Sequence, residues 1–180
     1  MAQICKWKGE LQVAIAAPLE EVWAIVSDFC GLQHWMLSIE ECECVEGQAQ
    51  VPGCVRYVVG SAVPGPDGQK MWVKERLLTL DPRTHSCTYR VEDGNLNLDG
   101  YVARLQLSSS SGAEGEGTVV KWCFEMDPMS GCAEEVMVNS LICRLNASIE
   151  ALECVARRRR SCSPSPSPSP CDRELISQDS

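Results

Sequence analysis

"MWVKERLLTL", residues 71–80, alternates in side-chain character with a period of two and reads as a β-strand. One face carries Met71, Val73, Glu75 and Leu77, and the other Trp72, Lys74, Arg76 and Leu78. The Lys/Arg face is the solvated one, so Glu75 stands alone among apolar neighbours on the face turned inward. Taking a carboxylate out of water is costly unless it is paired. The strand therefore points to a sheet whose concave side encloses something other than a plain hydrocarbon core.

Outward from this strand, the same period recurs on both sides. Residues 6–15, "KWKGELQVAI", place Trp7, Leu11, Val13 and Ile15 on one side and Lys6, Lys8, Glu10 and Gln12 on the other. Further strands are expected at 41–46, 53–60, 85–92, 99–107 and 118–126, with 70–80 among them. Turn chemistry separates them in "EGQAQVPG", "VPGPDGQ", "DPRTH", "EDGNLN" and "SSSSGAEGEG". Connections this short imply antiparallel neighbours.

Two stretches follow the helical period instead. "APLEEVWAIVSDF" has Pro18 at an expected first helical position, Glu20 and Glu21 in the first turn, and Val22, Trp23, Ile25, Val26 and Phe29 at helical spacing. Gly31 breaks it, and "LQHWM" is read as one more short helix. Residues 132–156 carry a stripe of Val138, Leu141, Leu145, Ile149 and Leu152, with Glu134, Glu135, Arg144 and Glu150 on the remainder. The fold class is thus α+β: a seven-stranded antiparallel curved sheet wrapped on a long C-terminal helix, with two short helices after the first strand. A curved sheet closed by one helix can leave a hollow between them, which favours a ligand cavity.

The 180 residues are about one domain's worth, at roughly 100–200 residues per domain. Residues 1–156 hold 11 basic against 22 acidic residues, a net of −11, and form the expected domain. Such a body argues against a nucleic-acid partner, which needs a basic surface to displace counterions. The 12 cysteines are scattered, with no Cys-x-x-Cys pair and only His34 and His85 to complete a mixed site. Reduced, mostly buried thiols are expected, with no metal and no cofactor. No signal-peptide run opens the chain and no apolar stretch approaches the roughly 20 residues of a membrane span. Stable membrane insertion is not expected, and the expected location is the cytoplasm.

Residues 157–180, "RRRRSCSPSPSPSPCDRELISQDS", change character. Proline at every second position of the Ser-Pro repeats forbids helix and ladder alike, so a disordered tail is expected. Two readings of it stay open: a nuclear-localisation or phosphorylation segment, and a terminal extension whose arginines cap the last helix's negative end.

The order of elements and several blocks together resemble the START-like, helix-grip proteins of the Bet v I type. The chain is most similar to the lachrymatory factor synthase-like branch of the polyketide cyclase/dehydrase and lipid-transport superfamily. The blocks are "KWKGEL", "VWAIVSDFCGLQHW", "CECVEG", "GCVRYV", "WVKERLLTLD", "DGYVARLQL" and "VVKWCFEMDP", spread over residues 6–155. The resemblance implies a catalytic set of Arg56, Glu75 and Tyr101. The alternation agrees for Glu75 and for Tyr101, which shares a face with Ala103, Leu105 and Leu107. Both faces of "CVRYVVG" are apolar, so the pattern leaves Arg56 open.

Burial favours the neutral form of a carboxylate and a neighbouring guanidinium favours the charged form. Balanced between them, Glu75 is expected to take a proton from one ligand atom and return it to another, as an isomerase or cyclase would. Arg56 would neutralise an oxyanion and Tyr101 would orient a polar oxygen. The opposing reading is a buried Arg56–Glu75 pair with a passive role. Leu32, Met71, Val73, Tyr89 and Trp122 are the candidate ligand-binding residues, and a small hydrophobic or amphipathic molecule is the expected partner.

The abscisic acid receptor branch, a phosphatase-regulating signalling class, shares the fold and is the alternative. "SAVPG", residues 61–65, is loosely similar to that branch's gate. Against it, Glu40 and Glu41 stand where the receptor's ligand-binding lysine would fall, and no His-Arg-Leu latch appears between residues 85 and 100. Leu37 also departs from the synthase pattern, standing where relatives place a proline.

Overall fold

A computed structural model describes residues 5–60, 68–112 and 115–162. Seven strands form one antiparallel sheet: β1 (Trp7–Ile15), β2 (Ile39–Glu46), β3 (Val55–Gly60), β4 (Trp72–Asp81), β5 (Ser86–Gly94), β6 (Val102–Gly112) and β7 (Gly115–Met126). Their order is β1-β7-β6-β5-β4-β3-β2, so each strand after the first neighbours its successor and β7 returns to pair with β1. Helix α1 (Leu19–Val26) and a 3₁₀ turn, Leu32–His34, follow β1, and helix α2 (Glu134–Cys162) ends the described chain. The helix-grip architecture expected from the pattern is the one observed.

Bulges bend this sheet. The register shifts between Ile39 and Glu41, between Cys44 and Glu46, between Lys74 and Glu75, and between Leu77 and Thr79. Each extra residue bends its strand and raises the local twist. The shift after Leu77 also resets the faces of β4. Strict alternation would turn Thr79 inward, but Thr79 is exposed and Leu80 packs on the core.

Most element boundaries differ from the sequence reading by a few residues, and three of the differences have a physical reason. Pro18 is the N-cap of α1, at φ −61° and ψ 146°, and not its first helical residue. The serine run expected as a turn belongs to strand: Ser108 to Ser111 pair with Val119 to Glu116, because the β6–β7 arms gain ladder hydrogen bonds that outweigh serine's weak strand preference. Helix α2 runs six residues past the expected domain end, so Arg157–Arg160 are helical. Arg157 pairs with Glu153 at 2.8 Å and Arg160 with Glu21 of α1 at 3.3 Å. The Ser-Pro repeats lie outside the described residues.

At 29 residues α2 is about 43 Å long. It packs on β1 and α1, burying Leu145, Ile149, Leu152 and Ala156, while Val138 and Leu141 are half-buried. The core gathers these with Trp7, Leu11 and Ile15 of β1, Val22, Trp23 and Phe29 near α1, and the inward residues of β6 and β7. Because the helix leans on the β1 side, the β2–β4 side of the concave face is left less filled.

Candidate functional site

That less-filled side contains a cavity of about 440 Å³. Leu37, Ser38 and Ile39 border it from the segment entering β2, Val58 and Gly60 from β3, Met71, Trp72 and Val73 from β4, Leu96 from the loop after β5, and Arg144, Ala147 and Ser148 from α2. Ligand pockets generally span about 300–1,000 Å³ and are mainly apolar with a few polar groups, which describes this one. Met71 and Val73, both expected from the sequence, stand on its wall. Leu37 at its rim is 86% exposed, although leucine is ordinarily a core residue.

Arg56, Glu75 and Tyr101 come together one step deeper. Val58 and Val73 are direct partners across β3 and β4, and Arg56 and Glu75 are the next inward-facing partners along the same ladder. Two residues of strand separate the two rungs, roughly 7 Å. Arg56 donates from Nε to Oε2 of Glu75 at 2.6 Å, and its Nη2 lies 2.6 Å from the same oxygen in the ion pair. Its Nη1 donates to the Phe29 carbonyl, and its guanidinium lies 3.8 Å from the centre of the Phe29 ring and 5.0 Å from that of Tyr89. The Arg56 and Glu75 side chains are only 5% and 11% exposed. Both Arg56–Glu75 contacts fall on Oε2.

Burial disfavours the Arg56 charge, yet the Glu75 carboxylate outweighs it, and the guanidinium holds its proton more tightly than a free arginine does. Tyr89 and Tyr101 sit beside the pair with ring centres 6.5 Å apart, and Tyr101 stacks on Phe124 at 5.7 Å. Burial pushes both phenols up; neighbouring Tyr101 and the Glu75 carboxylate add to this at Tyr89, as Glu75 does at Tyr101. Both are therefore neutral hydroxyls at neutral pH, fit to hydrogen-bond and not to act as bases.

The other expected ligand contacts lie off the cavity wall. Tyr89 belongs to the cluster just described. Leu32 is buried in the 3₁₀ turn, and Trp122 is buried with its ring centre 6.5 Å from that of Trp35. Among the described residues, the buried indole nitrogens of Trp35 and Trp122 and the buried side-chain oxygen of Gln33 have no hydrogen-bond partner. Sequence reasoning missed Val58, Leu96 and Arg144. Val58 was within reach, since it is two residues from Arg56 on one strand face. Arg144 was assigned to the decorated side of the helix, where only the crossing of α2 over β2–β4 reveals its neighbours.

Ten cysteines, from Cys5 to Cys154, are free thiols, but only Cys42, Cys54 and Cys87 of them are buried, fewer than expected. The others, in β2, β7, α2 and the segments outside the elements, keep partial or full contact with water. Burial pushes Cys87 up to about 11 and Cys30 up to about 12, the latter reinforced by Cys44, Cys54 and Cys42 nearby. Such thiols are protonated at neutral pH and poor nucleophiles. Among the described residues no cluster of His, Cys, Asp or Glu is arranged to hold a metal ion, and no helix is long and apolar enough to cross a membrane. The "SAVPG" stretch lies outside the described residues; Glu40 pairs with Lys70 at 2.6 Å.

Residues 6–157, from the first strand through most of α2, match the family model described as polyketide cyclase / dehydrase and lipid transport. The chain belongs to that family. MLP-like protein 34 of Arabidopsis thaliana is a relative, 28% identical over 131 residues; the match covers 67% of this chain but only 38% of that protein's length. Among solved structures, XoxI of Bacillus cereus superposes with a TM-score of 0.68 at 21% identity, over 85% of this chain and 97% of that one. Ginseng major latex-like protein 151 of Panax ginseng gives 0.62 at 20% identity, over 82% and 97%. At these identities the two structures share the helix-grip fold with this member of the polyketide cyclase/dehydrase family, and the fold alone.

Proposed function

We propose that the protein binds a small hydrophobic or amphipathic molecule in the cavity between β2–β4 and α2. The observation that carries this is an apolar hollow of about 440 Å³ held between sheet and helix in a chain of the polyketide cyclase/dehydrase and lipid-transport family. Removing a ligand's apolar surface from water at about 25 cal/mol per Å² supplies the driving force. Native mass spectrometry of protein taken from its source cells tests the reading, because a retained small molecule names the ligand class directly. Failure to retain any molecule, together with failure to bind a neutral apolar dye such as Nile red, would refute it.

A second reading is catalysis of intramolecular proton transfer, of the isomerase or cyclase type found in the lachrymatory factor synthase-like branch. It rests on Glu75 and Arg56 standing one rung below the cavity residues Val73 and Val58. In this reading Glu75 shuttles the proton, Arg56 offsets developing negative charge and Tyr101 donates a hydrogen bond. Glu75→Gln should then abolish turnover of a candidate substrate while leaving Nile red affinity within about twofold; unchanged turnover would remove Glu75 from the chemistry. Abscisic acid receptor-like regulation of a phosphatase has no comparable observation behind it.

A further inference from the structure

Among the described residues, Arg144 is the only ionisable side chain bordering the cavity. The chain as a whole is strongly acidic, with a net charge of −9, and most of the basic residues on its sheet are matched to carboxylates. Arg144 is not: among the described residues no carboxylate pairs with it, and its helix offers none at the neighbouring turns, where Ser140, Leu141, Ala147 and Ser148 stand. The Ser148 hydroxyl is engaged with the Arg144 carbonyl at 2.9 Å, which leaves the guanidinium as the charged donor at this mouth. Beneath it the wall is apolar, from Ile39, Val58, Met71 and Val73 to Leu96.

We propose that the cavity selects a monoanionic amphiphile, with its apolar body inside and its acidic head, carboxylate in the simplest case, on Arg144. This inference rests on the binding reading above and adds the sign of the head group to it. A guanidinium presents a planar fork that matches a carboxylate through two parallel hydrogen bonds. Arg144 is exposed, so the head group stays at the water boundary and is never fully desolvated. The hollow, at about 440 Å³, falls in the roughly 300–1,000 Å³ range of small-molecule pockets.

The test compares dodecanoate, dodecanol and dodecylamine, below their aggregation concentrations, as competitors of Nile red on the full chain. One tail with three head groups isolates the charge. Dodecanoate should displace the dye at concentrations about two- to fivefold lower than dodecanol, with dodecylamine weakest, and raised salt should narrow the gap. Arg144→Gln should equalise dodecanoate and dodecanol, Arg144→Lys should restore part of the preference, and Arg144→Glu should favour the amine. An exposed position makes these variants tolerable to the fold, which circular dichroism checks. Equal displacement by dodecanoate and dodecanol in the unmodified protein overturns the head-group inference and leaves hydrophobic binding standing. A dodecanoate preference that survives Arg144→Gln overturns it likewise. Absence of binding by the dye and all three competitors overturns both readings together.

Discussion

Arg56 and Glu75 form a buried pair in which each partner depends unequally on the other, and a double-mutant cycle measures that inequality. Arg56→Met keeps an apolar stem in place but strands the Glu75 carboxylate, whose side chain is 11% exposed. Removing one member of a buried pair costs about 3–5 kcal/mol. For a chain of this size that is on the order of 10 °C in Tm, at roughly 2–4 °C per kcal/mol. Glu75→Gln is milder, because Arg56 keeps the Phe29 carbonyl and the faces of Phe29 and Tyr89. Loss of one charge-assisted partner with an acceptor retained should cost about 1–3 kcal/mol. The double variant should fall short of the sum by about 2–3 kcal/mol, since neither charge is then left alone. Urea unfolding followed by tryptophan fluorescence reads all four proteins, and equal m-values would show that the unfolded states are comparable. Additivity within about 0.5 kcal/mol would mean that the two groups are solvated separately and that the buried pair is not a unit.

Leu145 is 7% exposed and lies off the cavity wall, so Leu145→Ala should cost about 2–5 kcal/mol by denaturant titration while leaving Nile red affinity unchanged. A loss of affinity without a loss of stability would place the helix face wrongly. Glu92 accepts hydrogen bonds from Arg76 and Arg90, which hold its carboxyl below the usual range. Its stabilising contribution is therefore complete above the unfolded carboxyl value of about 4.3 and is lost as pH falls through the lower folded value. Glu92→Gln should flatten that acid-side decline in Tm, and an unchanged slope would dismiss the interaction. In thiol labelling read by peptide mapping, the exposed Cys5, Cys143 and Cys154 should react in the native protein, whereas Cys87 should react only on unfolding. Early modification of Cys87 would show that β5 opens readily.

Period-two alternation in β1, β4 and β7 and the helical stripe through Leu145, Ile149 and Leu152 are local consequences of which side chains must leave water. They were legible in the chain itself, as was the inward placement of Glu75 and Tyr101. Three things were not. Whether Arg56 faced inward could not be read from a strand apolar on both sides; the ladder that sets Arg56 opposite Glu75 decides it. The bulge at Leu78 was invisible too, because an extra residue has no signature in composition and appears only when β4 is paired with β5. Arg144 was the largest omission. A helix pattern ranks residues by exposure, and Arg144 is exposed, but its neighbours across the cavity come from β2, β3, β4 and the loop after β5. Alternation and helical spacing describe how one segment meets water, whereas a site is made where distant segments meet one another, and that depends on how far α2 leans toward β1.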